Sequence, residues 1–157
     1  MKILLTGGKS AVALKLLKAF TKYKVVLADY GDVPLFASKD YQLISLGSKN
    51  EDVLAHTLLN NCLNEGVDAI LPIYTFEIEA LVKAKILFSE FNIEVLLPED
   101  TATYSNGSKT NNWVVFKSGE LVYTTTLDEE INALATKEKL SGAFYINTDK
   151  KLKLITV

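Results

Sequence analysis

Short runs of consecutive apolar residues alternate along the chain with segments in which apolar residues recur every three or four positions. Continuous apolar runs are typical of parallel strands buried on both faces, whereas the longer period is typical of helices that bury one side. The predicted strands are residues 3–5, 24–28, 42–46, 68–73 and 93–97, and the predicted helices are residues 12–20, 51–65 and 76–91. This alternation predicts an α/β fold built on a parallel sheet.

The pattern changes after residue 99. Residues 101–112 are polar and rich in turn formers, which predicts a connector or one short helix followed by a loop. Beyond it we predict a strand at residues 120–126, a helix that begins after Asp128, and a C-terminal hairpin. The chain therefore divides into residues 1–99, with a doubly wound parallel sheet of about five strands, and residues 100–157, a linker with a small α+β extension.

A paired-glycine turn, Gly7, Gly8, Lys9 and Ser10, connects the first strand to the first helix. Ser10 is a suitable N-cap, and a turn at a helix N-terminus leaves backbone N–H groups that attract an anion. The spacing matches neither the P-loop, whose first glycine would fall on Ile3, nor the full dinucleotide-binding fingerprint. The turn is therefore a degenerate Rossmann-like turn or a tight strand–helix connection without a ligand.

Other polar residues follow the predicted second and fourth strands. Asp29 ends the second strand, where a Rossmann domain holds a ribose hydroxyl, although an Asp at this position also commonly begins a turn. Tyr74, Thr75 and Glu77 follow the fourth strand. Parallel strands end at one edge of a sheet, here called the carboxyl edge. We therefore expect the first turn, Asp29 and residues 74–77 to form a ligand site there, with Lys9 supplying charge.

Composition excludes several classes of function. A net charge of −2 and a pI near 5.5 argue against a nucleic-acid binder, and all 17 basic residues are lysines, so no guanidinium can bind phosphate in a bidentate manner. One cysteine, Cys62, excludes an intramolecular disulfide, and the single histidine, His56, has no second ligand at metal-binding spacing. No apolar run approaches the length of a membrane span. We expect a soluble cytoplasmic protein with no membrane or nucleic-acid partner.

No group of residues has the pattern of a catalytic or metal centre. Glu77 and Glu79 are two positions apart on a predicted helix and so point in different directions, as do the adjacent Glu129 and Glu130. The apolar helix at residues 76–91 has more apolar positions than one face needs. It predicts a contact with a second copy of the chain or with a partner subunit.

Three motifs in order resemble the preATP-grasp domain, the Rossmann-like N-terminal domain of ATP-grasp enzymes, and in particular relatives of the carbamoyl phosphate synthase large subunit. The first is the turn described above. The other two motifs comprise Asp29, Pro34, Ser38 and Tyr41, and Pro72, Thr75, Glu77 and Glu79. The resemblance covers roughly residues 2–99, and it departs from the family where Lys9 replaces the usual arginine and where two extra residues separate Pro72 from Thr75.

The resemblance implies an ATP-grasp module after this domain, which would bind ATP and Mg²⁺. Only 58 residues follow Glu99, and they contain no paired carboxylates to hold magnesium. We therefore expect no cofactor for this chain alone, and a non-catalytic module that binds a small ligand or a partner protein. Two alternatives remain: the N-terminal fragment of an ATP-dependent ligase, and a small nucleotide-binding or NAD-binding Rossmann protein.

Overall fold

The structure is a computed structural model that describes residues 1–157. It contains two compact units. The first comprises residues 1–95 together with 156–157, and the second comprises residues 96–155.

The first unit is built on a six-stranded sheet with the order β3-β4-β2-β1-β5-β6. The strands are β1 (Lys2–Leu5), β2 (Lys24–Asp29), β3 (Phe36–Ala37), β4 (Tyr41–Ser45), β5 (Ala69–Leu71) and β6 (Glu94–Val95). All neighbouring strands are parallel except β3 and β4, which are antiparallel. The α/β class is confirmed, but the sheet is mixed and has one more strand than the purely parallel sheet that we predicted.

The additional strand β3 lies between the predicted strands 24–28 and 42–46, in a segment for which we predicted no helix or strand. Ser38 explains the difference, because its Oγ accepts hydrogen bonds from the backbone N–H groups of Asp40 and Tyr41 and so fixes a tight turn. That turn brings β3 back along β4, with Phe36 paired with Leu43. A strand of two residues has no hydrophobic period, so the sequence pattern did not reveal it.

The centre of the sheet is buried, as the apolar runs predicted. Leu4 is paired in register with Val26 on one side and Ile70 on the other, and all three side chains are 0% exposed. Strands covered on both faces have no need of alternating polar residues. The continuous apolar runs at these positions are therefore a direct consequence of the layered architecture.

Three helices connect the strands of this unit. They are α1 (Ala11–Leu16), α2 (Leu54–Glu65) and α3 (Thr75–Glu90), with 3₁₀ turns after α1 and before α2. Ser10 is the N-cap of α1, as predicted, and its Oγ accepts from Ala13 N. Gly66 ends α2 in the left-handed conformation, with φ of 62°, so the helix ends at Glu65 as predicted.

The second unit has a four-stranded antiparallel sheet with the order β10-β9-β7-β8. Its elements are β7 (Trp113–Lys117), β8 (Glu120–Thr124), α4 (Glu129–Glu138), β9 (Gly142–Ile146) and β10 (Leu152–Leu154). Asp128 caps α4 and the C-terminal hairpin is present, as predicted. The short helix expected after residue 100 is a single 3₁₀ turn, Ala102–Tyr104.

No helix in either unit combines the length and the apolar character needed to cross a bilayer.

Candidate functional site

The carboxyl ends of β1, β2 and β5 are neighbours at the centre of the first sheet. From β1 the chain moves outward through β2 to β4, and it then returns to place β5 on the other side of β1. The connections leave β1 and β5 in opposite directions across the sheet, so the strand order changes direction between these two strands. Residues singled out from the sequence lie at or after the carboxyl end of each of these strands.

Asp29 is a buried hydrogen-bond acceptor at this edge. Its side chain is 2% exposed, and it accepts from Lys9 N at 2.9 Å, from Tyr30 N at 2.8 Å and from the Tyr74 hydroxyl at 2.9 Å. No lysine nitrogen lies within ion-pair distance of it. Asp29 therefore holds the turn after β1 and the start of the segment after β2, which favours the turn-forming interpretation of this residue.

Glu77, in the first turn of α3, is 0% exposed and forms no ion pair. Its Oε2 accepts from the Thr6 hydroxyl at 2.5 Å and its Oε1 accepts from the Tyr30 hydroxyl at 2.6 Å. Burial raises the pKa of Glu77 to about 7, and the hydrogen bonds from Thr6 and Tyr30 act in the opposite direction. This carboxyl group therefore changes its charge near neutral pH.

Two tyrosines connect these carboxyl groups to the surface. Burial, together with the hydrogen bond to Asp29, raises the pKa of Tyr74 to about 12. Burial and the neighbouring Glu77 raise the pKa of Tyr30 above its usual range. Both hydroxyls remain protonated at neutral pH and act as donors to the carboxyl groups, so toward solvent they offer acceptor lone pairs.

The same tyrosines form an aromatic cluster with Phe76. Ring centroids are 6.0 Å apart for Tyr30 and Tyr74, 5.6 Å for Tyr30 and Phe76, and 5.0 Å for the stacked pair Tyr74 and Phe76. All three side chains are half-buried, and the Lys49 ammonium lies 3.9 Å from the centroid of the Phe76 ring. The cluster is a partly exposed aromatic surface that already accepts a cation.

The backbone of the first turn is less open than the sequence suggested. Gly8 N donates to Ala28 O at 3.0 Å, Lys9 N donates to Asp29, and Ser10 N donates to Gly7 O at 2.8 Å. These three N–H groups are not available to an anion, contrary to our expectation. The helix that follows is also short, with six residues, so it contributes only a small dipole.

Packing explains the two glycines of this turn. Gly7 has φ of 68°, and a Cβ atom there would lie 2.8 Å from the Ile73 side chain. At Gly8 a Cβ atom would lie 2.8 Å from the Leu43 side chain and 3.1 Å from the backbone nitrogen of Ala28. The turn passes so close to β2 and to the residues after β5 that neither position accepts a side chain.

The remaining predicted residues are exposed around this buried network. Lys9 donates from Nζ to the carbonyl oxygen of Tyr30 at 2.8 Å, and Thr75 lies exposed at the start of α3. Glu79 is exposed and pairs with Lys83, so it does not act with Glu77, as predicted from their spacing. The carboxyl edge therefore combines a buried acidic interior with an exposed lysine and an exposed threonine.

Three residues of the site were not identified from the sequence: Thr6, Tyr30 and Lys49. Thr6 and Tyr30 directly follow β1 and β2, and a polar residue immediately after a buried strand is a signal that was present in the sequence. Lys49 carried no such signal, because its contact with Phe76, which lies within the predicted range 74–77, depends on the path of the chain between β4 and α2.

No three His, Cys, Asp or Glu side chains are grouped so that they could hold a metal ion. A scan against protein-family models finds no family that matches the chain, and a search of curated proteins finds no matching sequence.

Proposed function

We propose that the first unit is a Rossmann-like module that binds a small ligand at the carboxyl edge of its sheet, and that this chain has no catalytic centre of its own. One observation carries the proposal. The polar residues that follow β1, β2 and β5 converge at the point where the strand order changes direction. In open α/β sheets, ligands bind in the crevice at this point.

We further propose that the module is a stand-alone or split relative of the preATP-grasp domain. Five parallel strands in the order β4-β2-β1-β5-β6 support this relationship, as does the position of Lys9, Asp29 and Thr75 around one edge. In a split enzyme, ATP and Mg²⁺ would be bound by a separate ATP-grasp domain. This chain would then position a substrate or a partner.

The chemistry of the site favours binding over catalysis. Asp29 and Glu77 are buried and already accept hydrogen bonds from the chain itself, so neither has free access to a substrate proton. Ser10 caps α1 through its Oγ, and burial raises the pKa of the Cys62 thiol to about 12, which leaves it protonated. We find no nucleophile paired with a base.

The exposed groups indicate how a ligand would be held. The stacked rings of Tyr74 and Phe76 offer an aromatic face to a planar group. Lys9 supplies a positive charge nearby, since its Nζ is held by the Tyr30 carbonyl. A planar ring that carries a negatively charged group fits this arrangement, which makes a nucleotide the first ligand to test.

A thermal-shift titration with ATP, ADP and NAD⁺, each with and without Mg²⁺, tests the proposal. A ligand at 100 times its dissociation constant stabilises the native state by about 2.7 kcal/mol. Lys9→Ala should reduce the shift, whereas Lys18→Ala, which removes an exposed lysine from the 3₁₀ turn that follows α1, should leave it unchanged. The absence of a shift with all three compounds would contradict a nucleotide site. A shift that requires both ATP and Mg²⁺ would instead favour a ligase component.

A further inference from the structure

The segment after β2 forms β3 at the edge of the sheet. Its base is bound by Ser45 Oγ, which donates to Gly31 O at 2.6 Å, and by Lys9 Nζ, which donates to Tyr30 O. This segment, residues 31–40, is called the arm. Nine of its ten residues are exposed, and Leu35 is 100% exposed. The arm pairs with β4 through Phe36 and Ala37, and its first residue, Gly31, donates its N–H to Gly47 O at 2.8 Å.

Tyr30 is the residue from which the arm begins, and its side chain points back into the protein. Its hydroxyl donates to Glu77 Oε1 at 2.6 Å, and its ring contacts Tyr74 and Phe76. The backbone N–H of Tyr30 donates to Asp29, and Lys9 Nζ donates to the backbone carbonyl of Tyr30. The protonation state of Glu77 therefore affects how firmly the base of the arm is held.

Every group that faces Glu77 is accounted for. Thr6 after β1 and Tyr30 after β2 donate to it, Asp29 and Tyr74 lie close enough to act on the site electrostatically, and Glu79 on the same helix is exposed. The neighbouring cation, Lys9, is bound to the Tyr30 carbonyl and forms no ion pair with Glu77. An ionised carboxylate in this position is held by these two hydroxyl donors and by a backbone hydrogen bond from Tyr74.

Protonation of Glu77 adds one hydrogen atom to the hydrogen-bonded group formed by Glu77, Thr6 and Tyr30. Ionised Glu77 accepts from both Thr6 and Tyr30, whereas a carboxylic acid adds its own hydrogen and gives up an acceptor site. Thr6 is 0% exposed and is fixed by the N–H of Ile73 at 3.0 Å, so its hydroxyl cannot turn to water. Tyr30 is half-buried and can turn its hydroxyl hydrogen to water, so protonation replaces its hydrogen bond to a charged acceptor by a weaker one between neutral groups.

The same conclusion follows from linkage. A hydrogen bond from Tyr30 favours the ionised form of Glu77, and coupling between two equilibria is reciprocal. Adding a proton to Glu77 must therefore favour the state in which the Tyr30 hydrogen bond is broken. We propose that the Tyr30–Glu77 hydrogen bond is a proton-operated latch, which holds the arm when Glu77 is ionised and releases it when Glu77 is protonated.

Amide hydrogen exchange of the arm tests the latch on the intact chain without any ligand, so its result is independent of the ligand-binding proposal. After correction for the intrinsic effect of pH, the arm amides of the wild type, including Gly31 N and Ser38 N, should exchange severalfold faster at pH 6 than at pH 8. In Glu77→Gln this difference should disappear, whereas it should persist in Glu79→Gln, which changes an exposed glutamate of the same helix.

A second pair of variants separates the latch from general loosening. Tyr30→Phe should give fast exchange of the arm at both pH values, whereas Tyr23→Phe, which alters a tyrosine without a carboxyl partner, should behave as the wild type does. If Tyr30→Phe does not fold, the carboxyl carbon of Glu77 can be followed by NMR in the wild type, and it should titrate with the same midpoint as the Tyr30 ring signals. Equal exchange at both pH values in the wild type, or a pH effect that survives in Glu77→Gln, would overturn the proposal.

Discussion

Thr6 and Glu77 are 71 positions apart in the chain and share a hydrogen bond of 2.5 Å. The bond joins the end of β1 to the first turn of α3. Thr6 Oγ also accepts from Ile73 N, so a single hydroxyl satisfies a buried backbone donor and a buried carboxyl group. Since no water can replace it at 0% exposure, this hydroxyl is central to the packing of the carboxyl edge.

Replacing Thr6 by Val should therefore destabilise the protein although the shape of the side chain is nearly kept. The change leaves Ile73 N–H without an acceptor and Glu77 with one donor fewer, and a buried unsatisfied polar group costs roughly 1–3 kcal/mol. Urea unfolding at pH 8 measures the loss. Thr21→Val, at an exposed threonine, is the control and should change stability by less than about 0.5 kcal/mol.

Glu77 should make the stability of the protein depend on pH in the direction opposite to that of a salt-bridged acid. Its pKa is about 7 in the folded protein against a usual value of 4.5, so the folded state binds the proton more tightly than the unfolded state. The stabilising contribution of the protonated form is complete below about pH 4.5 and is lost as the pH rises through 7. At 1.36 kcal/mol per pH unit, the loss is about 3 kcal/mol.

The measurement compares the unfolding free energy of the wild type with that of Glu77→Gln between pH 5 and pH 8. Glutamine cannot ionise, and it retains an acceptor and a donor for Tyr30 and Thr6. The unfolding free energy of the variant should therefore increase relative to that of the wild type as the pH rises. Equal pH dependence in the two proteins would contradict this assignment. Lowering the pH should raise the free energy of global unfolding, whereas it should loosen the arm. Urea unfolding and hydrogen exchange of the arm therefore distinguish the two effects.

Local chemistry made much of the fold predictable from the sequence. The cap at Ser10 and the helix end at Gly66 depend on neighbouring residues alone, and the buried run that contains Leu4 reports directly on a strand covered on both faces. By contrast, β3 depends on a turn at Ser38 and on pairing with β4. No periodic pattern in two residues could have indicated it.

The site was predictable in position and less so in chemistry. Asp29 and Glu77 were identified because residues that follow parallel strands meet at one edge. The sequence could not show that Asp29 would accept a hydrogen bond from the N–H of Lys9, because that contact spans 20 positions and depends on the close approach of the turn after β1 to the end of β2. It also gave no sign that Tyr30 would reach Glu77, 47 positions away.

Asp29→Ala should cost stability, because Asp29 is a buried acceptor for backbone groups of the chain itself. The backbone N–H groups of Lys9 and Tyr30 would both lose their acceptor, and each buried donor left unpaired costs roughly 1–3 kcal/mol. Asp29→Asn retains one acceptor oxygen and should lose less. Lys9→Ala, at an exposed side chain, should stay within about 0.5 kcal/mol of the wild type in the same unfolding experiment.

The proposed contact of α3 with a second copy of the chain makes a separate prediction. Ile86 is the most exposed apolar residue of this helix, at 77%, and Phe91 follows the end of the helix at 47% exposure. If this surface pairs two chains, light scattering should give a mass above the 17.3 kDa of one chain, and Ile86→Glu should return it to that value. Leu14→Glu, at a half-exposed leucine of α1, is the control and should not change the mass.

Gly8 should tolerate no side chain, even one that does not strain its backbone. Gly8→Ala places a methyl group 2.8 Å from Leu43 Cδ1 and 3.1 Å from Ala28 N, and the backbone nitrogen cannot move away without breaking the pairing of β2. Overpacking of this kind costs roughly 1–3 kcal/mol. Gly66→Asn is the matched control, because Gly66 has nothing within 4 Å of its added Cβ and asparagine accepts the left-handed conformation at a helix end. Thermal unfolding should therefore show a larger loss for Gly8→Ala than for Gly66→Asn. The reverse order would mean that the turn after β1 can move away from β2, and that its glycines serve something other than close packing.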